Sequence, residues 1–308
     1  MSDTETKQDI PKMATEINTP EKPANPLQAY FRRPAIYIQL PSKGKFNEPG
    51  EIEIPENGEI PVYPMTAKDE ILMRTPDALM NGATTVEVIQ SCCPNIKNAW
   101  KLSSLDIDMV LGSIRIATYG ESTDIKGVCP QCNEENNYEV ALRTIIDKVT
   151  TQDYKSSIKV SDLIIHFKPL SYETVTKEAI KTFEQQRMIQ GITSDETLAE
   201  QDRIDRFQDA FIRLTVHSVG ILAEAVGKIE MLDGNMITDR QQLGEFVANC
   251  DRTIFNTIKD HLDKNKGQST IDPIQFECNG STDIEGTHTP CGEKWQQPFT
   301  IDNSTFFG

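Results

Sequence analysis

Apolar and polar positions alternate first at AIYIQLPSKGKF, from residue 35. A period of two reads as a half-buried strand, and the Pro-Ser-Lys-Gly stretch reads as a turn. EIEI, closed by Pro55-Glu-Asn-Gly58, and IPVYPM repeat the pattern, so three short strands are expected as an N-terminal β-meander. The period then changes to 3.6. Thr66-x-x-Asp69 ahead of Ile71, Leu72 and Met73 is a helix start with acids in the first turn. Thr84 or Thr85 is the expected cap of a second helix. Ser104 is the expected cap of a third, with Ile107, Val110, Leu111 and Ile114 on one face and Gly120 as its stop.

From about Val128 to Pro169 the chain turns β-like again, with strands expected at NYEVAL and IKVSDLIIHFKPL. A long helical stretch follows. Ser171 caps one helix, with Gly191 beyond its end, and Thr193-x-x-Glu196 is a capping box for the next, whose stripe is Ile204, Phe207, Phe211, Leu214 and Ile221. Asp233-Gly234 between apolar flanks predicts a hairpin. Thr238 is the expected cap of one further helix running from Leu243 through Cys250 to Leu262, stopped by Gly267, and the last 40 residues read as strands and turns. Together these predict an α+β protein. Its parts are a disordered tail at 1–27, poor in large apolar groups, and an α+β domain at 28–122. A zinc-ribbon-like β-segment is then shared by 123–170 and 268–308, with a helical insertion and one hairpin at 171–267 between its two cysteine pairs.

Charge narrows the function. The 308 residues carry 31 Lys and Arg against 47 Asp and Glu, a net −16, which disfavours a nucleic-acid partner because phosphate binding needs clustered bases. No apolar run is long enough for a membrane helix, and no signal segment opens the chain, so no membrane partner is expected. Seven cysteines in that setting argue for reduced thiols or a metal. Cys129-Pro-Gln-Cys132 has the spacing of a zinc knuckle, which turns two sulfurs toward one ion. A second pair, Cys278 and Cys291-Gly292, is separated from Cys132 by 145 residues and has 12 residues inside it, where a second knuckle would have two. The four thiolates Cys129, Cys132, Cys278 and Cys291 are the expected ligands of a structural zinc, with His288 an alternative to one cysteine. Four filled positions leave no place for a reactive water.

Cys92, Cys93 and Cys250 read as small buried hydrophobes. No catalytic motif is present. Ser42-Lys-Gly-Lys45 lacks the glycine and hydroxyl residue of a phosphate loop. The acidic run from Asp195 to Asp209, six acids and two arginines, reads first as a solvated helix face.

LPSKGKF, PMTAKDEILMRTPDALMNGATTVEVIQSC, LDIDMVLGSIRIATYGE, the CPQC knuckle and the closing W-x-x-P-F-T-x-D-x-S-x-F-F-G together resemble the baseplate hub and hub assembly proteins of T-even-like contractile-tailed bacteriophages. The resemblance is best between Leu40 and Glu121. It implies a structural or assembly role in the tail baseplate, without catalysis, through contacts with other phage tail proteins, in the virion tail or in the host cytoplasm during assembly. It leaves self-association within the baseplate open. The competing reading is a zinc-ribbon nucleic-acid or transcription module, which the acids beside both cysteine pairs oppose. The exposed-looking Phe306 and Phe307 are equally suited to a partner's pocket or to this chain's own core.

Overall fold

The alternation at AIYI forms β1 (Ile36–Ile38), which pairs antiparallel with β2 (Ile60–Val62), Ile38 opposite Ile60. Ile38, Ile60 and Val62 point into the protein. A computed structural model of the chain describes residue 27 and residues 30–74, 82–149, 156–194, 199–268, 273–284 and 287–297. It divides into units Met1–Arg32 and Arg33–Gly308. The first is described only at residue 27 and residues 30–32, where Leu27, Tyr30 and Phe31 are exposed; the rest of the expected tail, and Phe306 and Phe307, lie outside the described residues.

Between β1 and β2 the chain turns through Lys43 and Gly44, both left-handed. A Cβ at Gly44 would stand 2.6 Å from Ile54 Cδ1, so glycine serves both the angle and the space. The expected EIEI strand is represented by isolated bridges at Ile52. Its backbone is drawn to residues 95–98: Glu53 donates to the Asn95 carbonyl at 2.8 Å and the Glu51 carbonyl accepts from Lys97 and Asn98.

Helix α1 (Ala67–Met73) carries the full capping box, Thr66 with Asp69. Helix α2 (Ala83–Cys92) starts at left-handed Gly82 with no side-chain cap, and Thr84 and Thr85 are buried inside it. Close packing explains the shift: a Cβ at Gly82 would lie 3.0 Å from Thr176 and 3.3 Å from Trp100. Helix α3 (Ser104–Tyr119) is capped by Ser103, one residue before the expected Ser104, and ends at Gly120. Its Ile107, Val110, Leu111 and Ile114 are buried, with β1, β2, α1 and α2, in the first apolar cluster. Strands β3 (Ser122–Val128) and β4 (Glu135–Ala141) form a hairpin, and α4 (Leu142–Val149) follows directly, sending Leu142 and Ile146 into the same cluster.

The second cluster sits on a four-stranded antiparallel sheet in chain order, β5 (Ser157–Val160), β6 (Leu163–Phe167), β7 (Val226–Met231) and β8 (Met236–Ile237). The β7–β8 turn is the expected Asp233-Gly234, with Gly234 left-handed and the Asp233 carboxylate accepting from the Asn235 amide at 2.9 Å. Between β6 and β7 the chain makes a hairpin of two long helices, α5 (Tyr172–Ser194) and α6 (Glu200–Ala225), with Glu178 meeting His217 across it. Gly191 and Thr193 lie inside α5, where the Thr193 hydroxyl donates to the Ile189 carbonyl; Glu196 lies outside the described residues.

The single helix expected from Thr238 to Gly267 is two. Helix α7 (Arg240–Asn249) is capped by Asp239, and α8 (Arg252–Gln268) restarts after Asp251, whose carboxylate accepts from the amides of Thr253 and Ile254. A second N-cap sharing an otherwise continuous apolar pattern breaks the helix at Cys250. Leu243, Val247 and Ile258 cover Ile165, Phe167, Val226 and Ile229. At the end of the chain β9 (Ile274–Glu277) pairs with β12 (Lys294–Gln297), and β10 (Ser281–Ile284) with β11 (Thr287–Pro290).

Asp106 is a fully buried carboxylate beside the first cluster with a structural task. Asp106 accepts from the Ser42 amide at 2.8 Å and the Ser42 hydroxyl at 2.5 Å, tying the LPSKGKF loop to the first turn of α3. Burial pushes its carboxyl up from 3.8 to about 6, against the pull of the Ser42 bonds. Folded Asp106 therefore holds its proton more tightly than unfolded Asp106, and stability falls as pH rises from about 4 to about 6. Asp106→Asn, which keeps an oxygen for the Ser42 amide, is expected to flatten that segment of the stability–pH curve, a loss of roughly 2–3 kcal/mol of pH dependence in denaturant titrations at pH 4 and pH 7.

Candidate metal centre

The Cys129–Cys132 turn joins β3 to β4. Asn133 after it is left-handed (φ 57°), and the Cys129 amide closes the turn on the Glu134 carbonyl at 3.0 Å. The second turn is built the same way. Gly292, after Cys291, has φ 60°, and the Cys278 amide reaches the Glu293 carbonyl at 2.8 Å. The difference is the path between the cysteines. After Cys278-Asn279-Gly280 the chain leaves as β10, returns as β11, and resumes at Cys291, whose amide donates to the Gly280 carbonyl at 2.9 Å. Cys278 and Cys291 are thus a Cys-x-x-Cys knuckle with residues 281–290 spliced in before its second cysteine.

The two hairpins, β3–β4 and β9–β12, pack with Tyr138, Phe276 and Trp295 between them, ring centroids 4.6 to 6.1 Å apart. Gly127 lets Trp295 close down: a Cβ there would be 3.2 Å from the indole. The Tyr138 hydroxyl donates to the Glu277 carbonyl at 2.7 Å. Asn136, buried, bridges the knuckles directly. Its amide nitrogen donates to the Glu134 carbonyl at 3.0 Å and lies 3.6 Å from Cys278 Sγ, while its oxygen accepts from the Asn279 amide at 3.0 Å.

This packing brings the four cysteines together. Cys129 Sγ is 3.8 Å from Cys291 Sγ, Cys132 Sγ is 3.5 Å from Cys278 Sγ, and all four sulfurs lie within 4.8 Å of one another. None is in a disulfide, whose sulfurs would be about 2 Å apart. A tetrahedron of thiolates with metal–sulfur bonds of about 2.3 Å has edges of about 3.8 Å, so the donor set could hold a metal ion. Backbone amides point at the sulfurs, including Gly280 N at 3.3 Å from Cys278 Sγ. Burial pushes the Cys129 thiol up, but the Cys132 and Gln131 amides and the adjacent thiols bring it down to about 7. At Cys132 the Glu134 amide pulls down, while burial and the three neighbouring thiols push the thiol up to about 12. Four sulfurs this close do not all ionise without a cation among them.

The remaining cysteines lie outside this cluster. Cys92 and Cys93 are fully buried in the first cluster, and half-buried Cys250 ends α7. His288 belongs to β11, opposite Asp283. His166 approaches Glu230, and His261 packs on Phe167. The Ser42–Lys45 loop faces the Asp106 carboxylate, an environment that repels phosphate. Asn136 was not anticipated from the sequence, where Asn133 to Asn137 read only as polar residues near a turn. Among the described residues no helix is long and apolar enough to cross a membrane.

Residues 35–289 match the family described as T4 bacteriophage base plate protein. The chain belongs to that family, and with it to the phage baseplate proteins. No curated protein and no solved structure matches the chain.

Removing the Asn136 bridge is expected to leave buried partners unsatisfied. Asn136→Ala should lower unfolding free energy by about 1–3 kcal/mol, against less than about 0.5 kcal/mol for Asn137→Ala on the exposed side of the same strand. Denaturant midpoints of the two variants measure the difference.

Proposed function

We propose that this chain is a non-enzymatic structural or assembly component of the baseplate hub in the phage tail, held in shape by one structural zinc on Cys129, Cys132, Cys278 and Cys291. The observation that carries the reading is the closed set of four thiols within 4.8 Å, in a chain of a baseplate family. Zinc is the ion that four thiolates in a tetrahedron favour, and a filled tetrahedron leaves no position for an activated water or a substrate. What zinc contributes is folding free energy: it fixes two turns remote in sequence to each other. His288 is not needed as a ligand, because the cysteines complete the shell. Glu134, Glu277 and Glu293 surround the knuckles, a poor surface for nucleic acid and a suitable one for protein. The partners are then other tail proteins, and the site of action is the tail baseplate.

Purified chain is expected to contain about one zinc by elemental analysis. Cys129→Ser should lose it and lower the thermal midpoint by more than about 5 °C. A chain lacking residues 281–290, with Gly280 joined to Cys291, should keep its zinc, since the join restores a two-residue spacing. For the assembly role, co-purification from infected cells with other tail proteins is the expected result; a chain that stays alone throughout tail assembly overturns it.

A further inference from the structure

Each knuckle keeps one sulfur in the interior and offers the other to solvent. Cys129 and Cys278 are buried, while Cys132 and Cys291 are half-buried. Thiol-to-thiol contacts run between the knuckles: Cys132 Sγ meets Cys278 Sγ at 3.5 Å, and Cys129 Sγ meets Cys291 Sγ at 3.8 Å. These two contacts share no sulfur, so both can close at once. Each also joins a half-buried sulfur to a buried one. A small oxidant reaches the first, and the second waits beside it as the resolving thiol. The Gly280 amide at 3.3 Å and Asn136 Nδ2 at 3.6 Å hold Cys278 Sγ in that place. Closing either contact to a bond of about 2 Å needs a sulfur movement of under about 2 Å, within reach of side-chain rotation.

We infer that the cluster is a site of oxidative modification, at which hydrogen peroxide converts the four thiols into two disulfides, Cys132–Cys278 and Cys129–Cys291. The sulfur of Cys132 or Cys291 attacks one peroxide oxygen; the O–O bond breaks, water leaves and a sulfenic acid forms. Its buried partner attacks that sulfur, the S–O bond breaks, a second water leaves and the S–S bond closes. Each disulfide thus consumes two thiols and one peroxide, with two electrons passing from sulfur to oxygen. A cation held by the thiolates is released, because a disulfide sulfur offers it no negative charge. Both bonds join the β3–β4 turn to the turn that follows β9, so the hairpins stay fastened after the cation has gone. The clamp then holds through a metal in a reducing cytoplasm and through sulfur in oxidising surroundings. This deepens the reading of the cysteine cluster as a structural clamp and rests on that reading.

The test treats the purified full chain with a small molar excess of hydrogen peroxide, alkylates the remaining thiols and digests the product under non-reducing conditions for mass spectrometry. Trypsin cuts after Lys126, Arg143, Lys266 and Lys294 and leaves each cysteine pair in one peptide. Disulfides between the hairpins therefore join the peptide 127–143 to the peptide 267–294, and fragmentation assigns the partners. The expected product carries Cys132–Cys278 and Cys129–Cys291 within one chain, with Cys92, Cys93 and Cys250 alkylated. Its thermal midpoint should lie about 5 °C or more above that of the reduced, chelator-stripped chain. A bond inside either knuckle, a bond between Cys129 and Cys278, or a link between two chains overturns the proposal. Sulfinic or sulfonic acids in place of disulfides overturn it too, as does an oxidised chain that melts no higher than the reduced, stripped one. Metal content before oxidation reads the zinc assignment, and co-purification reads the baseplate role. The linkage map can be read from metal-free chain as well, so the three fail separately.

Discussion

Two turns separated by 145 residues place four sulfurs within 4.8 Å, and the pairing of the hairpins that carry them depends on holding them there. Small hairpins such as β3–β4 and β9–β12 are marginal alone. Here each supplies half of one site, and the aromatic trio of Tyr138, Phe276 and Trp295 supplies the contact behind it. Everything from Asn133 to Glu277, including the four-stranded sheet and its helices, becomes a closed loop. Closing a loop of that length costs several kcal/mol of chain entropy, which the contacts between the two hairpins must offset.

The segments that resemble baseplate proteins serve one another structurally. Ser42 in LPSKGKF is bound by Asp106 in LDIDMV, and Asp69 in TAKDE caps α1 while accepting from Ser91 in VIQSC at 3.1 Å. These residues are polar, yet they sit among the buried side chains of the first cluster. A polar residue so placed must find its partner, which restricts the loops that can surround it. That is a physical reason for the resemblance to lie in loops and helix starts as well as in apolar positions.

The α+β class and the apolar faces of α3 and α7 were legible in the sequence, because periodicity records burial. Helix ends were less so. Gly82 begins α2 through tertiary packing against Trp100 and Thr176, which no local pattern announces. Asp251 divides α7 from α8 although the apolar spacing continues through it. Helix α4 had a readable signal in Leu142, Ile145, Ile146 and Val149, spaced 3, 1 and 3 apart, but it follows β4 with no intervening turn to mark its start. The first knuckle was plain. The second was disguised, because the spliced hairpin turns a spacing of two into twelve while backbone hydrogen bonds keep the turn itself unchanged. Asn136 could not be singled out: its importance comes from facing a turn that lies 142 positions away.

The root of the α5–α6 hairpin also matters. Just before α5, the Leu170 carbonyl accepts from the Ser104 amide and the Tyr172 amide donates to the Leu102 carbonyl, both at 2.8 Å, and Tyr172 stacks on Trp100 at 5.8 Å. There is no slack between the long helices and the start of α3. Two backbone hydrogen bonds and a ring contact therefore set the direction in which the long helices leave the N-terminal core.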